Sequence, residues 1–465
     1  MAQTLYDIVV LGGGPGGYTA AIRAAQLGLR TAIIERERLG GVCLNWGCIP
    51  TKALLRNAEI YHLVRSAGDW GISAENVRLD FSHVIKRSRG IADRISKGVE
   101  YLMKKNKIDK ISGSGRLLSA DAIEVRAEGK ATITVKGKHI IIATGARPRP
   151  IPGVTIDRKQ IITSMEAMAL PEQPASMVII GAGAIGIEFA SFYNTIGTKV
   201  TVVEMMPTIL PIEDKELTKV LVASLHRQGI RFLTESRVEG ITAGPDGVTV
   251  NVHNASGTQE LSADVTLVAI GVQGNVETIG LESLGIKVER GHIVVDKSYG
   301  TSVPGVFAVG DVIGPPWLAH VASAEAVICA EGIAGRNPEP LDYSTIPGCT
   351  YCHPQLASVG FTEEMAVAEG YEVKVGRCPF RPLGKSLAIG ETEGMVKLVF
   401  DAKYGELLGA HILGSDATEM IAELVLAKKL EATGPDIFRT IHAHPTLSEA
   451  VMEAAAAAYG EAIII

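Results

Sequence analysis

Twice along this chain an apolar run passes directly into G-x-G-x-x-G and then into a helix-like pattern. The stretches are "YDIVVLGGGPGG" near the start and "SMVIIGAGAIGIE" near the middle. The glycines are Gly12, Gly14 and Gly17 in the first copy and Gly181, Gly183 and Gly186 in the second. In such a unit the first glycine permits a tight turn and the second lets backbone approach a pyrophosphate. The third lets the helix pack close to the strand. The helix start then offers free N–H groups and the positive end of its dipole to phosphates. Turns of this kind belong to parallel sheets covered by helices, so two copies predict an α/β chain with two Rossmann-like dinucleotide-binding domains.

Both copies also end alike. "LRTAIIE" closes a strand at Glu35 and "KVTVVE" closes one at Glu204, so the span from first glycine to acid is the same, 12 to 35 and 181 to 204. An acid about 20 residues beyond the glycines suits a ribose diol. After Glu204 comes "MMPTILP", with no Arg or Lys to receive a 2′-phosphate. The acid repels one, so the second site reads as NAD rather than NADP. The first site leads into a pair of cysteines, an order that suits FAD with its reactive ring near the sulfurs. Other strand-like runs end at Thr144 and Gly145, at Gly271, and at Gly310 and Asp311. Ligands sit beyond the carboxyl ends of parallel strands, although each of these taken alone is equally a plain turn.

Length and charge narrow the field. At 465 residues the chain exceeds one ordinary core, and roughly two to four domains are expected. A formal net charge of -6, without any basic block, argues against nucleic acid or an anionic membrane surface as partner. No apolar stretch reaches the roughly 18 residues of a membrane-spanning helix. The opening "MAQTLYDIVV" has no basic n-region, so no signal peptide is expected and the reading is cytoplasmic. In that reducing space six cysteines are not a disulfide scaffold, and a close pair points to redox chemistry or a metal.

The pair stands in "GGVCLNWGCIPTK", where four residues separate Cys43 from Cys48. In a regular helix such positions lie roughly 8–9 Å apart, beyond the reach of a bridge, so a bond between them needs a bent segment. Gly40, Gly41, Gly47 and Pro50 supply the means to bend. A metal clamp would need further ligands at suitable spacing, and none is present. Helical spacing at Leu54, Leu55, Ala58, Tyr61 and His62 puts Cys48 near a helix start, where a thiolate is favoured. These residues favour a redox disulfide over a metal clamp or core filler. A second pair, Cys349 and Cys352 in "PGCTYCHPQLASVG", follows a strand-like pattern. Three residues apart on a strand, side chains point to opposite faces roughly 10 Å apart. These two, like Cys329 and Cys378, read as packing residues.

A thiol reaction needs a base. In "TIHAHPTLSEAVMEAAAAA", His444 precedes a proline and is expected in extended backbone. Glu449 has two readings. Thr446-x-x-Glu449 matches a capping box, which is structural. Alternatively Glu449 orients the His444 imidazole as an acid–base partner. Local sequence leans to the cap, and the need for a base leans to His444. His442 and His411 read as ordinary.

Taken together, the cysteine segment, both glycine fingerprints, "ATGARP", "FAVGD" and "HAHPTLSE" resemble the flavin-dependent disulfide oxidoreductases over nearly the whole chain. The resemblance implies an FAD domain over 1–147, an NAD domain over 148–269, a returning FAD or central segment over 270–345, and a C-terminal α+β interface domain over 346–465. It implies a homodimer in which His444 and Glu449 of one subunit complete the site holding Cys43 and Cys48 of the other. Cys43 would exchange with a dithiol substrate, and Cys48 would face the flavin as a charge-transfer thiolate. Lys52 matches a lysine near the flavin, and Glu188 matches its ion-pair partner beside the NAD site. Further FAD contacts are implied at Glu35, Gly115, Thr144, Gly145, Asp311 and Ala319 with His320. NAD contacts are implied at Glu204, Val238 and Gly271. One departure stands out: Val272 and Gln273 occupy positions where the family often carries basic residues.

The implied reaction is oxidation of a protein-bound dihydrolipoyl group, with NAD+ reduced through a non-covalently held FAD. The implied partners are the lipoyl domains and acyltransferase core of a 2-oxo acid dehydrogenase complex, or a glycine cleavage complex. A mercuric-ion reductase would carry a C-terminal cysteine pair, which "EAIII" lacks, and a glutathione-type enzyme would carry basic residues after Glu204. A non-catalytic scaffold subunit would have no use for the cysteine pair.

Overall fold

The runs "DIVVL" and "MVII" have no polar alternation, and a strand of that kind is stable only with both faces covered. In the computed structural model, which describes residues 5–465, they are the central strands of two separate parallel sheets. The first four residues of the segment expected to carry no signal peptide lie outside the described residues.

Strand Leu5–Leu11 pairs in parallel with Thr31–Glu35 on one side and with Ile133–Ile142 on the other. Strand Asp109–Ser112 extends the sheet, and Val306–Ala308 returns from far along the chain to pair with Ile140 to Ile142. An antiparallel hairpin, Ser114–Ser119 with Ala122–Arg126, is joined to the same sheet. Strand Ser176–Ile180 is the centre of the second sheet, between Lys199–Val203 and Val265–Val268. Ile8, Val9, Val10, Ile179 and Leu267 are wholly buried, as their unbroken apolar runs require. The α/β class and the duplicated nucleotide-type sheet agree with the sequence reading.

The third body is different. Five antiparallel strands run in the order Gly348–Thr350, Gln355–Gly360, Leu407–Gly414, Met395–Asp401 and Val373–Pro379. Helix Glu449–Ala457 joins this sheet's core through Ala450, Val451, Ala454 and Ala455. Among the described residues no helix is long and apolar enough to cross a membrane.

The C-x-x-C reading needs one correction. Cys349 lies on strand Gly348–Thr350, but Cys352 lies in the bend after it, so the two are not three steps along one strand. The proline at 354 and the short strand length end the extended run early. Cys352, Cys329 and Cys378 are buried, and Cys349 packs at the edge of the C-terminal core.

Candidate active site

The bend demanded by the cysteine spacing is present. Helix Gly41–Trp46 carries Cys43, and helix Cys48–Arg65 begins at Cys48 itself. Gly47 breaks the two apart with φ -148° and ψ -116°. Helix Phe81–Lys105 braces the segment by donating to its carbonyls. Ser96 Oγ reaches Leu39 O at 2.8 Å, Ser88 Oγ reaches Pro50 O at 2.9 Å, and Arg89 reaches Asn45 O at 2.6 Å. Arg89 also lies over the Trp46 ring at 4.1 Å. A bend pinned by three side chains of one long helix holds its sulfurs in place.

Here both cysteines are free thiols. They hydrogen-bond to one another and polarise in opposite senses. The bond to Cys48, with burial, pushes the Cys43 thiol up. Cys48 is pulled below the ordinary thiol range by the hydrogen bond from Cys43, which together with the Lys52 charge outweighs its burial. One thiol thus stays protonated while the other is poised as thiolate.

Lys52, one helical turn beyond Cys48, is the source of that charge. Its Nζ lies 2.8 Å from both carboxylate oxygens of Glu188, on helix Ala184–Thr195 of the second sheet. Glu188 is buried, and its Oε1 also accepts the Tyr351 N–H at 3.1 Å.

The glycine cradles show why each glycine is there. Gly12 and Gly181 have φ of +110° and +103°, and a Cβ on them would meet the carbonyl oxygens of Ala143 at 2.2 Å and Ala269 at 2.4 Å. On Gly17 and Gly186 a Cβ would strike the carbonyl of the first glycine, at 1.9 and 2.0 Å. The middle glycines differ. Gly183 has nothing within 4 Å of such an atom, and Gly14 meets only the Gly41 Cα at 3.8 Å. Protein packing requires the first and third glycines, and the space over the middle one suits a ligand's phosphates.

The two acids also repeat. Glu35 Oε2 accepts the Gly13 N–H at 2.7 Å, and Glu204 Oε2 accepts the Ala182 N–H at 2.7 Å. Their other oxygens accept from Glu37 N at 2.7 Å and Met206 N at 2.8 Å. The acids therefore shape the loops, and each oxygen keeps a second lone pair that a ligand hydroxyl could use.

Other expected contacts are placed as follows. Thr144 is bracketed by Asn275, its hydroxyl donating to Asn275 O at 2.9 Å and its carbonyl accepting from Asn275 Nδ2 at 2.8 Å. Gly145 has φ +69° and accepts the Asn275 N–H at 2.9 Å. Asp311 sits in a tight turn over Gly310–Ile313. Burial pushes its carboxyl up to about 6, and among the described residues its side chain has no hydrogen-bond partner. A largely covered carboxyl without a protein donor fits a ligand that brings hydroxyls. Helix Ala319–Ile333 begins at Ala319, and the His320 ring contacts Pro347 O at 3.0 Å. Gly115 has a packing reason of its own, since a Cβ there would meet Leu11 at 2.5 Å. Val238, on strand Arg237–Gly244, packs against the second sheet's core. Gly271 has φ +102° and open space around it.

The run after Gly271 pairs across with Ala146–Pro148, so arginines of that other segment come alongside it. Arg149 N–H donates to Gly271 O at 3.0 Å, and Arg147 holds Glu277 through two contacts of 2.9 and 2.7 Å. Basic residues thus flank Val272 and Gln273 after all, through strand pairing that the linear sequence does not display.

At the C-terminal end the two readings of Glu449 coexist. Its Oε1 lies 2.8 Å from His444 Nδ1, and its Oε2 accepts the Thr446 N–H at 2.8 Å. Burial pushes the Glu449 carboxyl up, but these two partners outweigh it and hold it below its usual range. The capping box is incomplete, because the Thr446 hydroxyl donates to Ala443 O instead and the helix starts after Ser448. The outer part of His444 faces away from the chain, with its side chain 79% exposed. No hydrogen bond or ion pair among the described residues links it to Cys43 or Cys48. His442 is held by Glu423 at 2.8 Å, and His411 is buried against Phe361 O at 2.9 Å. Tyr351, Asn275 and the serines of helix Phe81–Lys105 carried no local signal, because each acts on a segment far away in the chain. No group of metal-ligating side chains occurs among the described residues.

Residues 6–326 match the family model described as pyridine nucleotide-disulphide oxidoreductase, and residues 346–455 match the dimerisation domain of that family. The chain is 49% identical to a dihydrolipoyl dehydrogenase of Rhizobium etli, each covered over 100% of its length. It is 50% identical to the corresponding protein of Zymomonas mobilis, over 98% of this chain and 99% of that one. Among solved structures it resembles LpdA of Mycobacterium tuberculosis, with a TM-score of 0.91 and 27% identity over 97% of this chain and 99% of that one. The thiol pair at a helix break, the paired cradles and these matches show together that the chain belongs to the pyridine nucleotide-disulphide oxidoreductase family.

Proposed function

We propose that this chain oxidises a dihydrolipoyl dithiol and delivers the electron pair to NAD+ through Cys43, Cys48 and a non-covalently held FAD. The observation that carries the reading is the thiol pair at the helix break, with Cys48 opening a helix one turn before the Lys52–Glu188 ion pair.

In the oxidised state Cys43 and Cys48 share a disulfide. A substrate thiol gives its proton to His444 of the partner subunit and attacks Cys43 Sγ. The Cys43–Cys48 bond breaks, and its electron pair leaves on Cys48, the sulfur whose thiolate this site favours and hence the better leaving group. The second substrate thiol then attacks the substrate sulfur bound to Cys43. That closes the substrate's own disulfide, breaks the bond to Cys43, and passes the second thiol's proton to the departing Cys43 sulfur. Glu449 fixes the imidazole by accepting a hydrogen bond from Nδ1–H, which leaves Nε2 free to accept the proton. A bound FAD would supply the two-electron acceptor for the reduced thiol pair and the hydride donor for NAD+. The first cradle with Thr144 and Asp311 would hold FAD, and the second with Glu204 would hold NAD.

The exposed face of His444 and the match to a dimerisation domain support a homodimer whose subunits complete one another's sites. The same reading places the enzyme in the cytoplasm, with the lipoyl domains and acyltransferase core of a 2-oxo acid dehydrogenase complex as partners. The test is NAD+ reduction by dihydrolipoamide on purified, FAD-replete protein, with glutathione and NADP+ as controls. Rapid, NAD-specific turnover that disappears in Cys43→Ser and Cys48→Ser is expected. Turnover near wild type in either variant overturns the assignment.

A further inference from the structure

The charge that favours the Cys48 thiolate is held by more than its carboxylate partner. The Lys52 ammonium lies 4.1 Å from the centroid of the Tyr351 ring. Tyr351 follows strand Gly348–Thr350 in the C-terminal sheet, Glu188 belongs to the second nucleotide-type sheet, and Lys52 extends from the cysteine segment of the first. Three bodies therefore meet on one ammonium group. The same residue reaches both partners: its ring covers Lys52, and its N–H donates to Glu188 Oε1 at 3.1 Å.

A lysine on a flexible four-carbon stem has many places to put its charge. The Glu188 carboxylate alone would let it swing about the carboxylate plane. An aromatic face attracts the cation through the ring quadrupole and gives it a second anchor besides Glu188. We propose that Tyr351 is a positioning residue for the redox pair: its ring holds the Lys52 charge beside Cys48 and so sets how readily the Cys48 thiolate forms. It also ties that charge to the C-terminal sheet of the same chain. The inference rests on Cys43 and Cys48 being the redox pair.

The test is a pH titration of the long-wavelength thiolate-to-flavin absorbance in the two-electron-reduced holoenzyme, for wild type, Tyr351→Phe, Tyr351→Leu and Tyr351→Met. FAD content, read by fluorescence after denaturation, is measured alongside. The phenylalanine variant keeps the ring and is expected to titrate as wild type does. In the leucine and methionine variants the apparent equilibrium constant for thiolate formation should fall about two- to fivefold, the range a cation–π contact commands. FAD content should not change. Having both aliphatic variants guards against one failing to fold. Identical titrations in all four proteins, or a phenylalanine variant that behaves like leucine, overturn the role of the ring. A wild-type protein with no thiolate band at all overturns the redox-pair reading, and this inference with it.

Discussion

The two glycine cradles repeat the same backbone angles and hydrogen bonds, yet they sit in opposite surroundings. Each begins with a glycine at φ above +100°, each helix is entered through a glycine with φ -73°, and each acid ties down its loop with bonds of 2.7 and 2.8 Å or less. The first cradle is roofed. Gly41 of the cysteine segment approaches Gly14, and helix Ala319–Ile333 lies against helix Pro15–Gln26 through the Arg23–Glu331 ion pair. The second is open, with Ile185, Met205 and Met206 exposed around it. One motif therefore serves two kinds of binding. The motif sets what is recognised, and the segments packed over it set how long it is kept. A flavin that stays and a nicotinamide nucleotide that exchanges are what such a pair of surroundings favours.

The most severe way to break the comparison is to fill the first glycine of each cradle. Gly12→Ala and Gly181→Ala each force a Cβ into a carbonyl at positive φ, at a cost of about 2–4 kcal/mol. The consequences should differ. Gly12→Ala is expected to yield protein without flavin, whereas Gly181→Ala should purify yellow but lose NAD-linked turnover. Flavin content and NADH-driven bleaching distinguish them, and equal loss of flavin in both would erase the distinction.

The second probe is pH. Asp311 belongs to the roofed cradle, and its folded carboxyl is raised from 3.8 to about 6 by burial. Between those values the folded state binds a proton that the unfolded state has released, so stability falls as pH rises through this window. The loss is about 3 kcal/mol. Thermal unfolding of flavin-depleted protein should show it between pH 4 and 6, and Asp311→Asn should flatten that part of the profile. A flat wild-type profile would contradict it.

Exchanging the acids sharpens the comparison further. In Glu204→Gln an amide group must face N–H donors, which costs about 1–2 kcal/mol, and the charge that repels a 2′-phosphate is gone. The ratio of NADP+ to NAD+ turnover should rise roughly tenfold, about 1.4 kcal/mol of discrimination. Glu35→Gln should instead weaken flavin retention and leave that ratio alone. The smallest effect is expected at the middle glycine of the open cradle. Gly183→Ala meets nothing in the protein, so stability should stay within about 0.5 kcal/mol while the KM for NADH rises. A large drop in the melting temperature would show that this glycine serves the fold rather than the ligand.

The sequence was most legible where chemistry is local. The glycine turns, the bend between Cys43 and Cys48, and the helix start at Cys48 all follow from residue types within a few positions of one another. Glu449 was ambiguous for the same reason: capping and orienting a histidine use the same residue at the same spacing. The structure shows both uses, one on each oxygen. The run after Gly271 carries no basic residue of its own, and strand pairing sets Arg147 and Arg149 beside it from more than a hundred positions away. Likewise Cys349 and Cys352 were placed on one strand, and the chain turns between them.

By itself, then, the sequence determined two nucleotide cradles, a redox-capable thiol pair and a histidine with an acidic companion. Each depends on backbone angles or side-chain spacing that a short stretch specifies. Tertiary structure alone decided which cradle is roofed and what holds Lys52. Its carboxylate partner lies 136 positions along the chain, and Tyr351 joins that carboxylate from 163 positions further on. No local propensity encodes such a meeting. It arises when three separately buried cores pack together and leave one ammonium group between them.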